Sequence, residues 1–160
     1  MIRQEAPTDG AVIRRVHLES FPTAAEADLV DQLRKDGDVA ISLVTEMDTA
    51  VTAHVLFSPM AAPFRALSLG PVAVLPAYRR RGLAAGLIQA GLVQAAAQGW
   101  DAVFVLGDRA YYERFGFDTG LASGFATPYA GPHFLAKPLQ NDLPILHGRL
   151  DHAPAFAGLG

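Results

Sequence analysis

The clearest candidate for a functional segment in this chain consists of three arginines followed by small residues, Arg79-Arg80-Arg81-Gly82-Leu83-Ala84. It lies between an apolar run that ends at Val74 and a charge-free stretch that continues to Gln98. A strand, a basic turn and a helix start, in this order, present free backbone N–H groups and the positive end of a helix dipole to an anion. Because Gly82 and Ala84 have almost no side chain, a pyrophosphate can approach the backbone closely. The sequence therefore predicts a phosphate-binding loop.

The composition indicates one globular domain spanning residues 1–160. Apolar residues make up 51% of the chain and charged residues 18%, which excludes a disordered polyelectrolyte. The net charge of −3 argues against a general nucleic-acid binder. The absence of cysteine excludes disulfides, thiolate metal sites and a cysteine nucleophile.

Membrane insertion and export are not expected. The first five residues lack the apolar core of a signal peptide. The uncharged residues 82–98 are short for a membrane span of ~20 residues and contain three glutamines and three glycines. We interpret this stretch as a buried helix and expect a cytoplasmic protein.

Hydrophobic patterning predicts the order β-α-α-β-β-β-α-β-α-β, with one or two later strands. Residues 66–107 form a strand–helix–strand unit, whose long crossover implies parallel pairing, whereas the tight turns before it imply antiparallel pairing. The prediction is an α/β (α+β) fold with a mixed sheet. The elements expected are strands at 2–6, 39–45, 50–58, 66–74, 102–106, 133–137 and around 145–150, and helices after Asp9 and Thr23 and at 82–98 and 110–115.

Gly70-Pro71 is anomalous inside the strand Ala66–Val74. Proline has no N–H group and cannot pair normally in a central strand. We therefore expect a bulge there, or a strand edge that opens away from its neighbour.

The spacing of these residues resembles the GNAT superfamily of acetyl-CoA-dependent N-acetyltransferases. Its pyrophosphate motif is Gln or Arg, two free positions, Gly, one free position, then Gly or Ala, and here Arg79, Gly82 and Ala84 fill the defined places. Leu69–Tyr78 is similar to the family's fourth strand, and Tyr112–Phe117 to its helix with Tyr-Glu-x-x-Gly-Phe. Val103–Asp108 with the tyrosines after it resembles a bacterial subgroup of predicted N-acetyltransferases.

The resemblance implies a three-layer fold whose central sheet is splayed between its fourth and fifth strands. It also implies acceptor-side elements in residues 1–58, a CoA-binding core in 66–117 and a variable tail in 140–160. The pantetheine arm would lie in the splay against the backbone of Val72, Ala73 and Val74. The pyrophosphate would lie on the amides of Arg79, Arg80, Arg81, Gly82, Leu83, Ala84 and Ala85. The alternative for these residues is close helix–sheet packing and a solvated basic turn.

Tyr112 matches the family's catalytic tyrosine. Attack of an amine on the thioester releases a thiolate whose thiol has a pKa near ~8.5, and a tyrosine hydroxyl with a pKa of about 10 can supply a hydrogen bond and a proton to it. Tyr111 lies about 100° around the helix from Tyr112, so both cannot point at one sulfur atom. The alternative for both rings is packing against the sheet.

A dedicated general base is harder to assign. Many family members have a glutamate on the fourth strand, whereas Ala66–Leu69 contains no carboxylate. His54 on the preceding strand is the candidate, since an imidazole titrates near ~6.5, and a structural histidine is its alternative. Ser68 could order a water, and Asp108 either acts at the site or caps a helix. The five scattered histidines do not indicate a metal site.

The function expected is direct transfer of the acetyl group of acetyl-CoA to a primary amine, carried by a small molecule or a protein. The alternatives are a non-catalytic acyl-CoA-binding or sensing module of the same fold and, from an unrelated class, a nucleotide hydrolase. No metal, membrane or nucleic-acid partner is expected. Whether the chain forms a homodimer stays open.

Overall fold

A computed structural model describes residues 1–159, and its central feature is a six-stranded mixed sheet. The strands are β1 (Ile2–Gln4), β2 (Ile41–Met47), β3 (Ala50–Met60), β4 (Ala66–Val74), β5 (Ala102–Leu106), β6 (Phe125–Ala126), β7 (Phe134–Pro138) and β8 (Gly148–Arg149). The helices are α1 (Gly10–Ser20), α2 (Ala25–Asp36), α3 (Leu83–Ala97), α4 (Arg109–Glu113) and α5 (Thr119–Ala122), with 3-10 turns at Pro7–Asp9, Pro76–Tyr78 and Pro154–Leu159.

The sheet has the order β1-β2-β3-β4-β5-β7. Only β4 and β5 pair in parallel, joined by the α3 crossover, and the other neighbours are antiparallel. The two short strands β6 and β8 pair separately. The predicted α/β fold with a mixed sheet is therefore confirmed.

The predicted splay between β4 and β5 is present, and it begins after the first three residues of each strand. They pair only at Ala66–Ala102, Leu67–Val103 and Ser68–Phe104, and beyond Ser68 β4 continues for six residues without β5 as a partner. On its other edge β4 stays paired with β3 through a bulge, because Val55 lies opposite Val72 whereas Phe57 lies opposite Leu69. The extra residue is accommodated at Gly70-Pro71, where Gly70 has a φ of +137°. The bulge expected from Pro71 is thus present.

Helices cover both faces of the sheet, giving three layers. Side chains of β5 alternate as a strand requires: Val103 and Val105 belong to the core against α3, whereas Phe104 belongs to a cluster on the opposite face. That opposite face is covered by α1 and α2 near β2 and β3. Farther along the sheet it is covered by α5 and the C-terminal segment.

The close approach of α3 to β3 depends on Gly91. A Cβ atom at this position would overlap the Phe57 ring, which is completely buried. We expect Gly91→Ala to lower the free energy of unfolding by about 1–3 kcal/mol, because the ring has no free volume to move into. Gly86→Ala is the matched control in the same helix, since its Cβ would meet only Ile2 Cδ1 at 3.5 Å. Urea unfolding should show Gly86→Ala equal to or more stable than the wild type. A Gly91→Ala protein of full stability would refute the packing argument.

The C-terminal quarter differs most from the sequence prediction. The strand expected around residues 145–150 is reduced to Gly148–Arg149, and neither its parallel partner β6 nor the short helix α5 was anticipated. These elements contain two to four residues, so they are too short for a detectable hydrophobic period. The tail contains the 3-10 turn Pro154–Leu159.

Candidate functional site

The predicted phosphate loop borders a cavity of about 360 Å³, which we call the loop-side cavity. It lies between the free edge of β4 and the start of α3. Nine of the ten residues proposed for the cofactor line it, whereas Arg81 does not. These are Val72, Ala73, Val74, Arg79, Arg80, Gly82, Leu83, Ala84 and Ala85.

The loop beside this cavity has an unusual backbone conformation that leads directly into α3. Arg80 and Gly82 both have left-handed backbone angles, with φ of 65° and 74°. Gly82 is the N-cap of α3, and its carbonyl accepts the first helical bond from Gly86 N at 3.0 Å. The amides of the first turn, from Leu83 to Ala85, have no helix carbonyl four residues before them to bind. They are therefore free to bind an anion.

The three arginines have different surroundings. Arg79 Nη2 donates to the Ser20 carbonyl at 3.1 Å and its Nε donates to the Val74 carbonyl at 3.4 Å. Its side chain therefore ties the end of α1 to the end of β4. The Arg81 guanidinium lies 5.1 Å from the centre of the Tyr78 ring. Arg80 is an exposed cation at the rim of the loop-side cavity.

A second cavity of about 430 Å³ opens on the other side of the splay, and we call it the aromatic cavity. Phe21 and Val72 line both cavities, so the two meet beside the part of β4 that has no pairing with β5. The bulge residues Gly70 and Pro71 form part of its wall. The remaining lining residues are Glu26, Leu29, Ser68, Leu69, Leu106, Tyr112, Tyr129, His152 and Phe156.

Tyr112 and Tyr111 face different cavities, as their angular separation on a helix predicts. Tyr112 lines the aromatic cavity, whereas Tyr111 lines the loop-side cavity beneath the Arg114 guanidinium, which is 4.2 Å from its ring. The Tyr112 ring is 8% exposed and packs edge-on against Phe117. Burial, with a smaller contribution from Tyr111, raises the pKa of the Tyr112 hydroxyl to about 12. The group thus stays protonated, and able to donate, at any ordinary pH.

His54 is not brought to either cavity. It is completely buried on the α1 face of the sheet, where its Nδ1 lies 2.8 Å from Nε2 of His17 and its Nε2 lies 2.8 Å from Ser42 Oγ. Ser42 in turn donates to Glu5 Oε1 at 2.7 Å. Because a carboxylate only accepts, the proton order is His17 Nε2–H to His54, His54 Nε2–H to Ser42, and Ser42 O–H to Glu5. This placement favours a structural histidine over a general base in contact with substrate.

Because of this histidine pair, the free energy of unfolding should decrease as the pH falls below 6.5. Burial lowers the pKa of His17 from 6.5 to about 4, and burial together with His17 lowers that of His54 well below its usual value. Above pH 6.5 the folded and unfolded states both hold His17 neutral. Between pH 6.5 and 4 the unfolded state binds the proton first, so stability falls as the pH falls.

Urea unfolding at pH 7.5 and pH 4.5 tests this. We expect His17→Gln to reduce the loss of unfolding free energy between these pH values by about 3 kcal/mol. His147→Gln is the control, since His147 is exposed, and it should keep the wild-type loss. Equal losses in all three proteins would contradict the assignment.

Of the other polar residues considered for the site, one lines a cavity and two are exposed. Ser68 lines the aromatic cavity, whereas Asp108 is exposed at the N-cap of α4 without a side-chain capping bond. Glu113 forms an exposed ion pair with Arg109 at 3.2 Å. Glu26, Tyr129, His152 and Phe156 line the aromatic cavity but were missed, because they come from distant parts of the chain and form no local motif.

Residues 1–159 contain no helix with both the length and the hydrophobicity needed to cross a bilayer. Over the same residues, no three histidine, aspartate or glutamate side chains are grouped closely enough to hold a metal ion.

Comparison with known proteins identifies the class to which this site belongs. The family model described as acetyltransferase (GNAT) family matches residues 11–117. The Escherichia coli K12 protein named uncharacterized N-acetyltransferase YhbS is 39% identical over 122 residues, covering 74% of this chain and 73% of that protein. YjhQ of the same organism is 34% identical over 134 residues, covering 78% of this chain and 74% of that protein.

Two crystal structures are similar over nearly the whole fold. The E. coli GNAT family N-acetyltransferase YhbS in complex with CoA has a TM-score of 0.93 at 34% identity, covering 100% of this chain and 93% of that chain. A Brucella melitensis GNAT family acetyltransferase in complex with acetyl-CoA has a TM-score of 0.82 at 33% identity, covering 98% and 97%. This chain belongs to the GNAT family of acetyltransferases and is an acyltransferase.

Proposed function

We propose that this protein transfers the acetyl group of acetyl-CoA directly to a primary amine. The observation that carries the proposal is the meeting of two cavities at Val72, in the gap between β4 and β5. One cavity offers helix N-terminal amides and arginines for phosphates, and the other offers a buried tyrosine hydroxyl. The crystal structures of the two similar proteins contain CoA and acetyl-CoA, which supports the same ligand here.

The coenzyme would bind along the free edge of β4. Val72 to Val74 have no strand neighbour on the β5 side. The Val74 carbonyl accepts from Ser20 Oγ and Arg79 Nε, whereas the other backbone groups on this edge can pair with the amides of the pantetheine arm as an added strand would. The pyrophosphate would rest on the amides from Arg79 to Ala85. The thioester carbonyl would then be polarised by backbone N–H groups near Val72, which stabilises the developing oxyanion.

The amine would attack from the aromatic cavity. A lysine-like amine has a pKa of about 10.4, so the ammonium must lose a proton before its nitrogen can attack. The neutral nitrogen forms the C–N bond, and the C–S bond breaks as the tetrahedral intermediate collapses. Tyr112 gives its proton to the sulfur, and the proton lost from the acetylated nitrogen restores its hydroxyl. No acyl-enzyme is needed, and the chain has no cysteine.

The alternative is a module that binds acyl-CoA without catalysis. Two observations support it: Ala66–Leu69 contains no carboxylate, and His54 is buried in the core. Incubation with acetyl-CoA and a panel of primary amines, with detection of free CoA thiol, decides between the two. Amine-dependent thiol release supports the enzyme, whereas slow release that no amine accelerates supports the module.

Thermal unfolding of the same protein in the presence of CoA or ATP tests which ligand the basic loop binds, and with it the nucleotide-hydrolase alternative. A ligand that binds only the folded state raises the melting temperature with its concentration. We expect CoA to stabilise the protein and ATP to do so much less. Stabilisation by ATP alone would overturn the coenzyme assignment.

A further inference from the structure

Glu26 is the carboxylate that enters the aromatic cavity. It lies in the first turn of α2, and its Oε1 atom is buried without a hydrogen-bond partner among residues 1–159. The other acidic residues of α2 have partners: Asp28 and Asp31 pair with Arg14 at 2.9 and 2.7 Å, and Asp36 accepts from Gln32. A buried carboxylate oxygen without a donor is unfavourable, so it fits a ligand that brings its own positive charge.

The rest of the aromatic cavity provides no second charge. Glu26 is its one acidic or basic lining residue within the described chain, apart from His152. Burial lowers the pKa of His152 below its usual value, so this imidazole is neutral near pH 7. The cavity therefore carries a single negative charge and has nothing to pair with an anion.

Aromatic rings line the same cavity as this carboxylate. The His152 ring contacts Tyr129 and Phe156 edge-on, with centroids 4.8 and 5.1 Å apart, and Phe21 closes the side shared with the loop-side cavity. Such rings bury the apolar part of a ligand and attract an ammonium group to their faces. A volume of about 430 Å³ is that of a small-molecule site.

From this geometry we propose that Glu26 binds the acceptor ammonium, and that the acceptor is a small primary amine with an apolar or aromatic body and no carboxylate. The inference rests on the proposed acetyl transfer and defines its acceptor. An amino acid would bring its own carboxylate beside Glu26 without a basic residue to neutralise it.

Phenethylamine and phenylalanine are matched probes, since they differ by one carboxylate. We expect wild-type kcat/KM, measured by thiol release, to favour phenethylamine by at least ~10-fold, because like charges placed together are unfavourable. Glu26→Gln should raise the KM for phenethylamine roughly 10- to 100-fold, as expected for a lost hydrogen bond to a charged group, and should narrow the preference over phenylalanine.

Asp28→Asn is the control, because it removes the same charge two residues away from an exposed position outside the aromatic cavity. It should keep the wild-type KM. Acetyl-CoA affinity, measured by calorimetry, should be unchanged in both variants. A wild-type preference for phenylalanine or for a lysine peptide, or an unchanged KM in Glu26→Gln, overturns the inference and leaves acetyl transfer intact.

Calorimetric titration of phenethylamine into the CoA-saturated protein separates the two proposals. Absence of turnover with every amine would remove the proposed function. In that case weaker amine binding by Glu26→Gln than by the wild type would still support the binding site. Equal binding, or none to the wild type, would remove the site as well.

Discussion

Tyr112→Phe is expected to lower kcat by ~10²–10⁴-fold while the Kd for acetyl-CoA stays close to that of the wild type. The variant removes one oxygen from a buried ring and leaves its packing against Phe117 in place. Without the hydroxyl, the departing sulfur has neither a hydrogen bond nor a proton from this side chain. Single-turnover thiol release gives the rate of the chemical step, and calorimetry gives the affinity.

Tyr111→Phe is the matched control for this experiment. Tyr111 lies next in the chain but lines the loop-side cavity and not the aromatic cavity. We expect a change of less than ~10-fold in kcat. If Tyr112→Phe kept the full rate, the assignment of the proton donor would be wrong. If Tyr111→Phe alone lost activity, the two tyrosines would have to exchange roles.

Ala84→Glu is expected to raise the Kd for acetyl-CoA by at least ~100-fold, since like charges placed together cost several kcal/mol. Ala84 lies in the first turn of α3 and lines the loop-side cavity. A carboxylate there occupies the amides that would hold the pyrophosphate and repels its charge. The same carboxylate interacts favourably with the helix dipole, so thermal stability should be kept or slightly raised. Lost affinity without lost stability would identify this turn as the phosphate site.

Gln89→Glu adds the same charge to an exposed position of α3 outside the loop-side cavity. It should leave the Kd within a factor of about two, since exposed charges at a distance are screened by salt. Unaltered CoA binding by Ala84→Glu would place the pyrophosphate elsewhere. Isothermal titration at constant ionic strength provides the comparison.

Local patterns were sufficient to predict the elements around the splay. The limits of β4 and β5 agree with the prediction residue for residue. Pro63 and Pro76 lie on either side of the apolar run of β4, and Gly107 directly follows that of β5. Pro71 predicted the irregularity in β4 for a reason confined to its own chemistry, the missing N–H group. The division of the chain into acceptor-side, coenzyme-binding and variable parts stays a prediction.

The side of the sheet that a residue faces was harder to predict. β3 is buried on both faces almost throughout. Thr52 and His54 alternate with Ala53 and Val55, but because neither face of the strand meets solvent, this alternation does not show which layer covers His54. Only the packing of α1 shows that this ring meets His17 in the interior. The same limitation applies to α3, whose face against Phe57 is set by the single small residue Gly91.

Residues close together in the chain were enough to predict the basic turn before α3, the opened strand and the tyrosine helix, because each depends on backbone chemistry that acts locally. Tertiary structure alone decided the composition of the aromatic cavity. Glu26 lies more than a hundred positions before Tyr129 and His152 in the chain. They meet because α2 and the C-terminal segment pack over the gap between β4 and β5. A cavity built from distant side chains has no sequence period, so its charge and its expected acceptor became visible only in the folded protein.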